Sequence, residues 1–198
     1  MIMNIKMRKV FCIIILLLTI GSNTFFSQNK SNSQSTSSNQ KKKSLIFGPK
    51  SAGKIKDLFF TNKGFKLPGK ILSINSIATY TEVNSIEGSG NVYFWDFTNS
   101  FQISAISEGE GERGNNDKIS LVSFNYGGIG SIELANTIIL NKSTLNSIEK
   151  QYPKRLIKFN NSNLPTYKIK DGKIFATFYF NEKNILISLS ISDYDLEF

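Results

Sequence analysis

Two blocks of short runs in which apolar and polar side chains alternate restrict the fold of this chain more than any other feature. The first block opens with a dense aromatic run, Val92 to Phe97, ahead of the alternating Phe101 to Ile106 and Ile119 to Tyr126; the second comprises Thr166 to Lys170, Lys173 to Phe180 and Ile185 to Ser192. A period of two sends successive side chains to opposite faces, so each run predicts a β-strand with at least one buried face. Asp171-Gly172 separates two of these runs and has the chemistry of a type I′ hairpin turn. Asn181 to Asn184 predicts a second turn into the last strand.

Helical spacing fills the gaps between the blocks. Ile55, Leu58 and Phe59 fit one short helix, and Gly69 to Ile74 reads as a strand leading to a second helix with Ile77, Ala78 and Tyr80. Thr137 to Leu140 reads as a strand, Ser143 as the N-cap of a helix presenting Leu145, Ile148 and Tyr152, and Pro153 as its stop. Leu156 to Phe159 adds one more strand. The expected fold class is α+β: mostly antiparallel sheet with two or three short helices on one face, in a single domain over 44–198. Both halves can be written strand, helix, meander, which predicts two tandem helix–meander units. Ile103 to Ser107 after Phe97 echoes Ile187 to Ser192 after Phe180.

The start of the chain has another character. Lys6, Arg8 and Lys9 precede an apolar run from Val10 to Ile20, which ends at Gly21, Ser22 and Asn23. That order is the order of a secretory signal, and the run is shorter than the roughly 20 apolar residues a spanning helix needs. The expectation is a signal peptide over 1–27, cleaved near Ser27, and a mature protein that is secreted or periplasmic. Cys12 lies near the beginning of the apolar run rather than after it, against a lipid anchor. Residues 28–43 are Asn, Ser, Gln, Thr and Lys, which bury too little apolar surface to offset the entropy of ordering, and predict a disordered linker.

Net charge becomes informative once it is located. The chain carries a formal +9, yet residues 58–198 hold 14 basic and 14 acidic side chains. The excess sits in a leader that includes Lys41, Lys42 and Lys43, which predicts contact with an anionic surface.

Chemistry is limited by what is missing. There is no histidine, and Cys12, the one cysteine, leaves with the signal. Histidine-dependent triads, cysteine nucleophiles and ordinary zinc sites are excluded for the mature chain. Gly48 to Lys54 fits the G-x-x-x-x-G-K pattern of a phosphate-cradling loop, but Ile55 stands where Ser or Thr must hold magnesium, so no nucleotide and no other cofactor is expected. Glu108, Glu110 and Glu112 alternate ahead of Asp117 and give a weak calcium alternative; Arg113 occupies the place of the turn glycine in a calcium loop. Asp96, Asp193, Asp195 and Glu197 are the carboxylates a glycoside hydrolase would draw on.

Tyr93, Trp95 and Phe97 point to one side of their strand and Val92, Phe94 and Asp96 to the other. If the second set is inside, the first forms an exposed three-ring ladder and is the candidate binding site; if the first set is inside, it is core.

Ile138 to Pro153, followed by a glycine-containing hairpin, resembles the helix-plus-antiparallel-meander unit of BamE-like and β-lactamase-inhibitor-protein-like exported bacterial proteins. The resemblance implies envelope assembly or protein binding without catalysis. The functional expectation is an exported, non-catalytic module that binds a protein or cell-envelope component. Its rivals are a carboxylate-dependent hydrolase of an envelope polymer and a surface-adhering structural protein held by its basic leader.

Overall fold

The structure is a computed structural model and describes residues 54, 57–62, 64–86, 90–98, 101–108, 114–128, 131–135, 138–160 and 162–196, with the side chains of Phe97, Thr98 and Glu108 left out. The expected signal, the linker with Lys41, Lys42 and Lys43, the glycine-rich motif up to Gly53, Glu110 and Glu112 lie outside the described residues.

The strands anticipated from alternation form one antiparallel sheet. After a short helix α1 (Ile71–Asn75) come β1 (Glu82–Ile86), β2 (Gly90–Thr98), β3 (Phe101–Glu108) and β4 (Lys118–Tyr126). A small separate hairpin, β5 (Ile132–Ala135) and β6 (Ile138–Leu140), leads to helix α2 (Leu145–Gln151). Then follow β7 (Ile157–Lys158), β8 (Thr166–Asp171), β9 (Ile174–Phe180) and β10 (Leu186–Ser192). The strand order is β1-β2-β3-β4-β10-β9-β8-β7, so two four-stranded meanders meet through their last strands. The fold is mostly antiparallel sheet with a few short helices.

The two halves are wired alike. Ahead of α1, Lys70 bridges Lys118, Ile71 N–H donates to Asp117 O, and Ile119 N–H donates to Gly69 O. Ahead of α2, Thr144 bridges Ile185, Leu145 N–H donates to Asn184 O, and Leu186 N–H donates to Ser143 O. Each helix thus docks its first turn onto the start of the fourth strand of its own meander. Those fourth strands each carry a β-bulge at the same place, Ser120 against β3 and Ile187 against β9. The pairing between them is symmetric about Ser123↔Ser190, with Asn125↔Ser188 on one side and Leu121↔Ser192 on the other.

Several local expectations are corrected. Gly69 to Ile74 is not a strand: Ile71 and Ile74, three apart, both point into the core from α1, and Ile77 and Ala78 follow in its closing turns. The α2 N-cap is Thr144, whose Oγ1 accepts from Ser147 N–H at 3.2 Å, while Ser143 Oγ accepts from Ile139 N–H at 2.8 Å. The hairpin at Asp171-Gly172 exists one residue further on. Asp171 pairs with Ile174, and the two-residue loop is Gly172-Lys173 with positive φ at Gly172 alone, the type II′ pattern. The echo of Ile103 to Ser107 in Ile187 to Ser192 matches a third strand with a fourth; the wiring matches β4 with β10.

The slip at the turn frees the Asp171 side chain for a long-range clasp. Its Oδ2 accepts from Phe65 N–H at 2.9 Å, and its Oδ1 pairs with Arg155 at 3.1 Å. Gly64 passes directly under this carboxylate, and a Cβ at that position would collide with Asp171 Oδ2. We expect Gly64→Ala to lower the unfolding free energy by about 1–3 kcal/mol, and by less in an Asp171→Ala background. Urea unfolding of the two single variants and the double variant measures this coupling directly.

Candidate functional site

Alternation along β2 settles which face is which. Tyr93 and Trp95 are 0% and 1% exposed and belong to the main core with Ile103, Val122, Phe124 and Leu189. Trp95 Nε1 donates to Ala78 O at 2.8 Å, and Tyr80 meets both rings edge-on, its centroid 5.2 Å from that of Tyr93 and 6.2 Å from that of Trp95. Tyr93 and Trp95 of the expected binding ladder are therefore internal, because the helices and the segment carrying Phe59 and Phe65 cover this face. The side chain of Phe97 is outside the described residues.

Asp117 is also committed to structure. Its Oδ2 accepts from Tyr93 Oη at 2.5 Å, Asn91 Nδ2 at 3.1 Å and Ser107 Oγ at 3.2 Å. Gly114 N–H in turn donates to Tyr93 Oη at 2.8 Å. The carboxylate that the calcium alternative required is thus a buttress for the loop ahead of β4. Among the described residues no group of His, Cys, Asp or Glu side chains is placed to hold a metal ion. The remaining carboxylates are dispersed: Asp96 accepts from Thr81 and Gln102, Asp193 pairs with Lys118 at 3.5 Å, and Asp195 pairs with Lys168.

The second face of the sheet holds the polar groups that composition did not single out. Across it runs a row in strand order: Ser104 on β3, Ser123 on β4, Ser190 on β10 and Thr177 on β9. Asn125 and Ser188 lie beside it. Phe94 and Lys168 close the row at its two ends. The inner pair is satisfied, Ser123 Oγ to Ser190 Oγ at 2.7 Å, and Ser188 Oγ donates to Asn125 Oδ1 at 2.8 Å. The Tyr179 phenol beside them is pushed well above its usual pKa by burial, partly offset by its hydrogen bond with Ser190.

The outer pair is not satisfied. Ser104 Oγ, Thr177 Oγ1 and Asn125 Nδ2 are buried with no hydrogen-bond partner, in residues 0%, 1% and 5% exposed. Buried polar groups are nearly always paired, and an orphan costs about 1–3 kcal/mol. All three orphans lie on this one face, and Ser104 and Thr177 occupy corresponding places in the two meanders. Nothing in the sequence marks them: serine alternating with apolar residues reads as an ordinary solvated strand face.

The C-terminal tail lies on the same side. Ser192 Oγ donates to Tyr194 O, Asp195 reaches Lys168 on β8, and Leu196 packs among Val92, Ile106 and Leu121. Where the tail covers the sheet, the face beneath is apolar.

Comparison with known proteins gives one distant likeness of fold. The chain is similar to a DUF4309 family protein (YjgB) from Bacillus subtilis subsp. subtilis str. 168, at 11% identity and a TM-score of 0.46, over 71% of this chain and 91% of that one. No likeness to BamE-like or β-lactamase-inhibitor-protein-like proteins is shown. No family model and no curated protein matches the chain.

Two measurements test this description. Thr177→Val keeps shape and removes an orphan hydroxyl, so it should raise the unfolding free energy by about 1 kcal/mol; Ser123→Ala breaks a made bond and should lower it by about as much. Urea titrations giving the reverse order would show that the Thr177 hydroxyl has a partner. In alkali, Tyr93 is one of two sensors in the same range, because burial also raises Tyr152 to about 12. For Tyr93, burial and then its hydrogen bond to Asp117 raise the pKa to about 12 from an ordinary 10. A raised pKa means the protonated phenol is favoured by folding, so its stabilisation is intact below pH 10 and is lost as pH climbs toward 12. Tyr93→Phe should make that part of a stability-against-pH curve less steep, leaving the share that Tyr152 contributes.

Proposed function

We propose that the protein is an exported, non-catalytic module that binds a protein or cell-envelope component on the second face of its sheet. The observation that carries the reading is the gathering on that face of the three orphaned polar groups found among the described residues, Ser104, Asn125 and Thr177. A group that is buried, unpaired and outside the main core costs stability, and binding is the event that returns it. Export rests on the order of charges and apolar residues in the first 27 positions. The absence of histidine and the separate engagement of Asp96, Asp193 and Asp195 favour binding over a carboxylate-dependent hydrolase.

The same reading takes the chain as two tandem helix–meander units. It is supported by the matching helix docking, the matching bulges at Ser120 and Ile187, and the symmetric register about Ser123 and Ser190. On this view the binding face is one surface made twice.

The test is capture from native envelope by the full chain beside Thr177→Arg and Trp95→Phe variants, each checked for folding. Retention by the full chain and by Trp95→Phe, lost with Thr177→Arg, is the expected result. Loss with Trp95→Phe alone would return the site to the aromatic strand.

A further inference from the structure

The charge of the folded part balances overall but not locally. Residues 153–175 hold six basic side chains, Lys154, Arg155, Lys158, Lys168, Lys170 and Lys173, against one acidic, Asp171, leaving 8 basic and 13 acidic elsewhere in 58–198. Two of the six are engaged within the protein: Arg155 pairs with Asp171, and Lys168 with Asp195. Lys154, Lys158, Lys170 and Lys173 are exposed and have no acidic partner among the described residues. All six lie on β7, on β8 or in the turns beside them.

An aliphatic side chain stands open among these lysines. Ile157 is 53% exposed, one of two large apolar side chains left exposed among the described residues, and lies on β7, the outermost strand at this end of the sheet. It is opposite Lys168, so it shares a face with the half-buried rings of Phe159 and Phe175. Lys168 Nζ sits 5.0 Å from the Phe159 ring centroid and Lys170 Nζ 5.6 Å from that of Phe175. A single exposed isoleucine carries no meaning by itself; here it coincides with the one stretch of the domain where cations outnumber anions six to one.

We infer that this end of the sheet, with the β7 edge foremost, docks on an anionic lipid bilayer. The inference uses none of the orphaned groups and is independent of the reading above. At a bilayer interface lysine heads meet lipid phosphates, while their stems, aromatic rings and an aliphatic side chain rest against the acyl boundary. The negative potential of the surface attracts each unpaired cation. A soluble polyanion fits less well: it would leave Ile157 in water, and stacking of bases needs open ring faces, over which lysine heads already sit at Phe159 and Phe175. An added strand fits less well too, because β7 is two residues long and carries Lys158, features that close an edge to pairing. Guarding that edge does not account for Lys170 and Lys173, which belong to β8 and its turn.

The test mixes the full chain with vesicles of phosphatidylcholine alone or of equal parts phosphatidylcholine and phosphatidylglycerol. A Lys41→Gln/Lys42→Gln/Lys43→Gln background removes those three leader cations from the comparison, and the readout is the preference for anionic over neutral vesicles. We expect a clear preference that falls roughly fivefold with each of Lys154→Gln, Lys158→Gln, Lys170→Gln and Lys173→Gln, with urea unfolding unchanged. In an Ile157→Trp variant, the added fluorescence should move to shorter wavelength on anionic vesicles and be quenched by brominated acyl chains. No preference for anionic vesicles overturns the inference, as does a preference that the four lysine variants leave intact. Fluorescence that stays unshifted while long-chain polyphosphate is bound also overturns it, and assigns the lysines to a soluble polyanion. Thr177→Arg should leave vesicle binding unchanged, which separates this surface from the one proposed above.

Discussion

The seam between β4 and β10 is the contact on which the rest of the molecule depends. It is the place where two four-stranded meanders become one sheet, and its register runs symmetrically outward from Ser123 and Ser190. On the core side the seam sets Phe124 against Leu189 and Val122 against Ile191, and Phe59 closes on Phe124 with ring centroids 4.9 Å apart. Burial of these side chains supplies most of the seam's free energy, at roughly 25 cal/mol per Å² of apolar surface. The backbone ladder adds specificity, since a slip of one residue would turn Phe124 and Leu189 to the other face and bring the serines into the core. Without the seam each half would also expose its fourth strand as an open edge.

Two carboxylates then fix what the sheet alone leaves free. Asp117 gathers donors from β2 and β3 at the start of β4, where α1 docks, and Asp171 ties the β8–β9 turn to the segment at Phe65. A hydrogen bond to a charged group contributes about 1.5–3 kcal/mol, more than a neutral one. Both aspartates sit at loop ends, where apolar packing is thin and directional bonds decide the path of the chain. Arg155, also over the Tyr152 ring, joins the second clasp to the end of α2.

Much of this was legible in the sequence because period-two alternation is a strong signal wherever one face is buried. It marked β3, β4, β8, β9 and β10, while a dense aromatic run marked β2. It missed β1, since Glu82–Ile86 is a mostly polar edge strand with little to bury, and it misread Ile71 and Ile74, whose three-residue spacing only acquires meaning once α1 has β4 to dock on. The turn slipped by one residue because Gly172 satisfies two hairpin types, and the choice is made by the distant clasp on Asp171. The candidate site was not legible at all. Aromatic rings drew attention to Tyr93 and Trp95, which are core, while the functional candidates are serines and a threonine whose significance lies in bonds they do not make.

That absence of bonds has a physical meaning because each simpler account of the second face fails on a neighbouring residue. A face open to water would be expected to carry long charged side chains over its middle strands and to be exposed, but Ser104 and Thr177 are closed off. A face built as a second core would be apolar, as it is at Val92, Ile106 and Leu121 beneath Leu196. A face made of small residues merely to let the sheet bend would pair its hydroxyls locally, as Ser123 and Ser190 do. The row meets none of these descriptions at its outer positions, and it departs from them in the same way in both halves. A cost carried twice, at corresponding sites, is the feature of this face that these three accounts leave over.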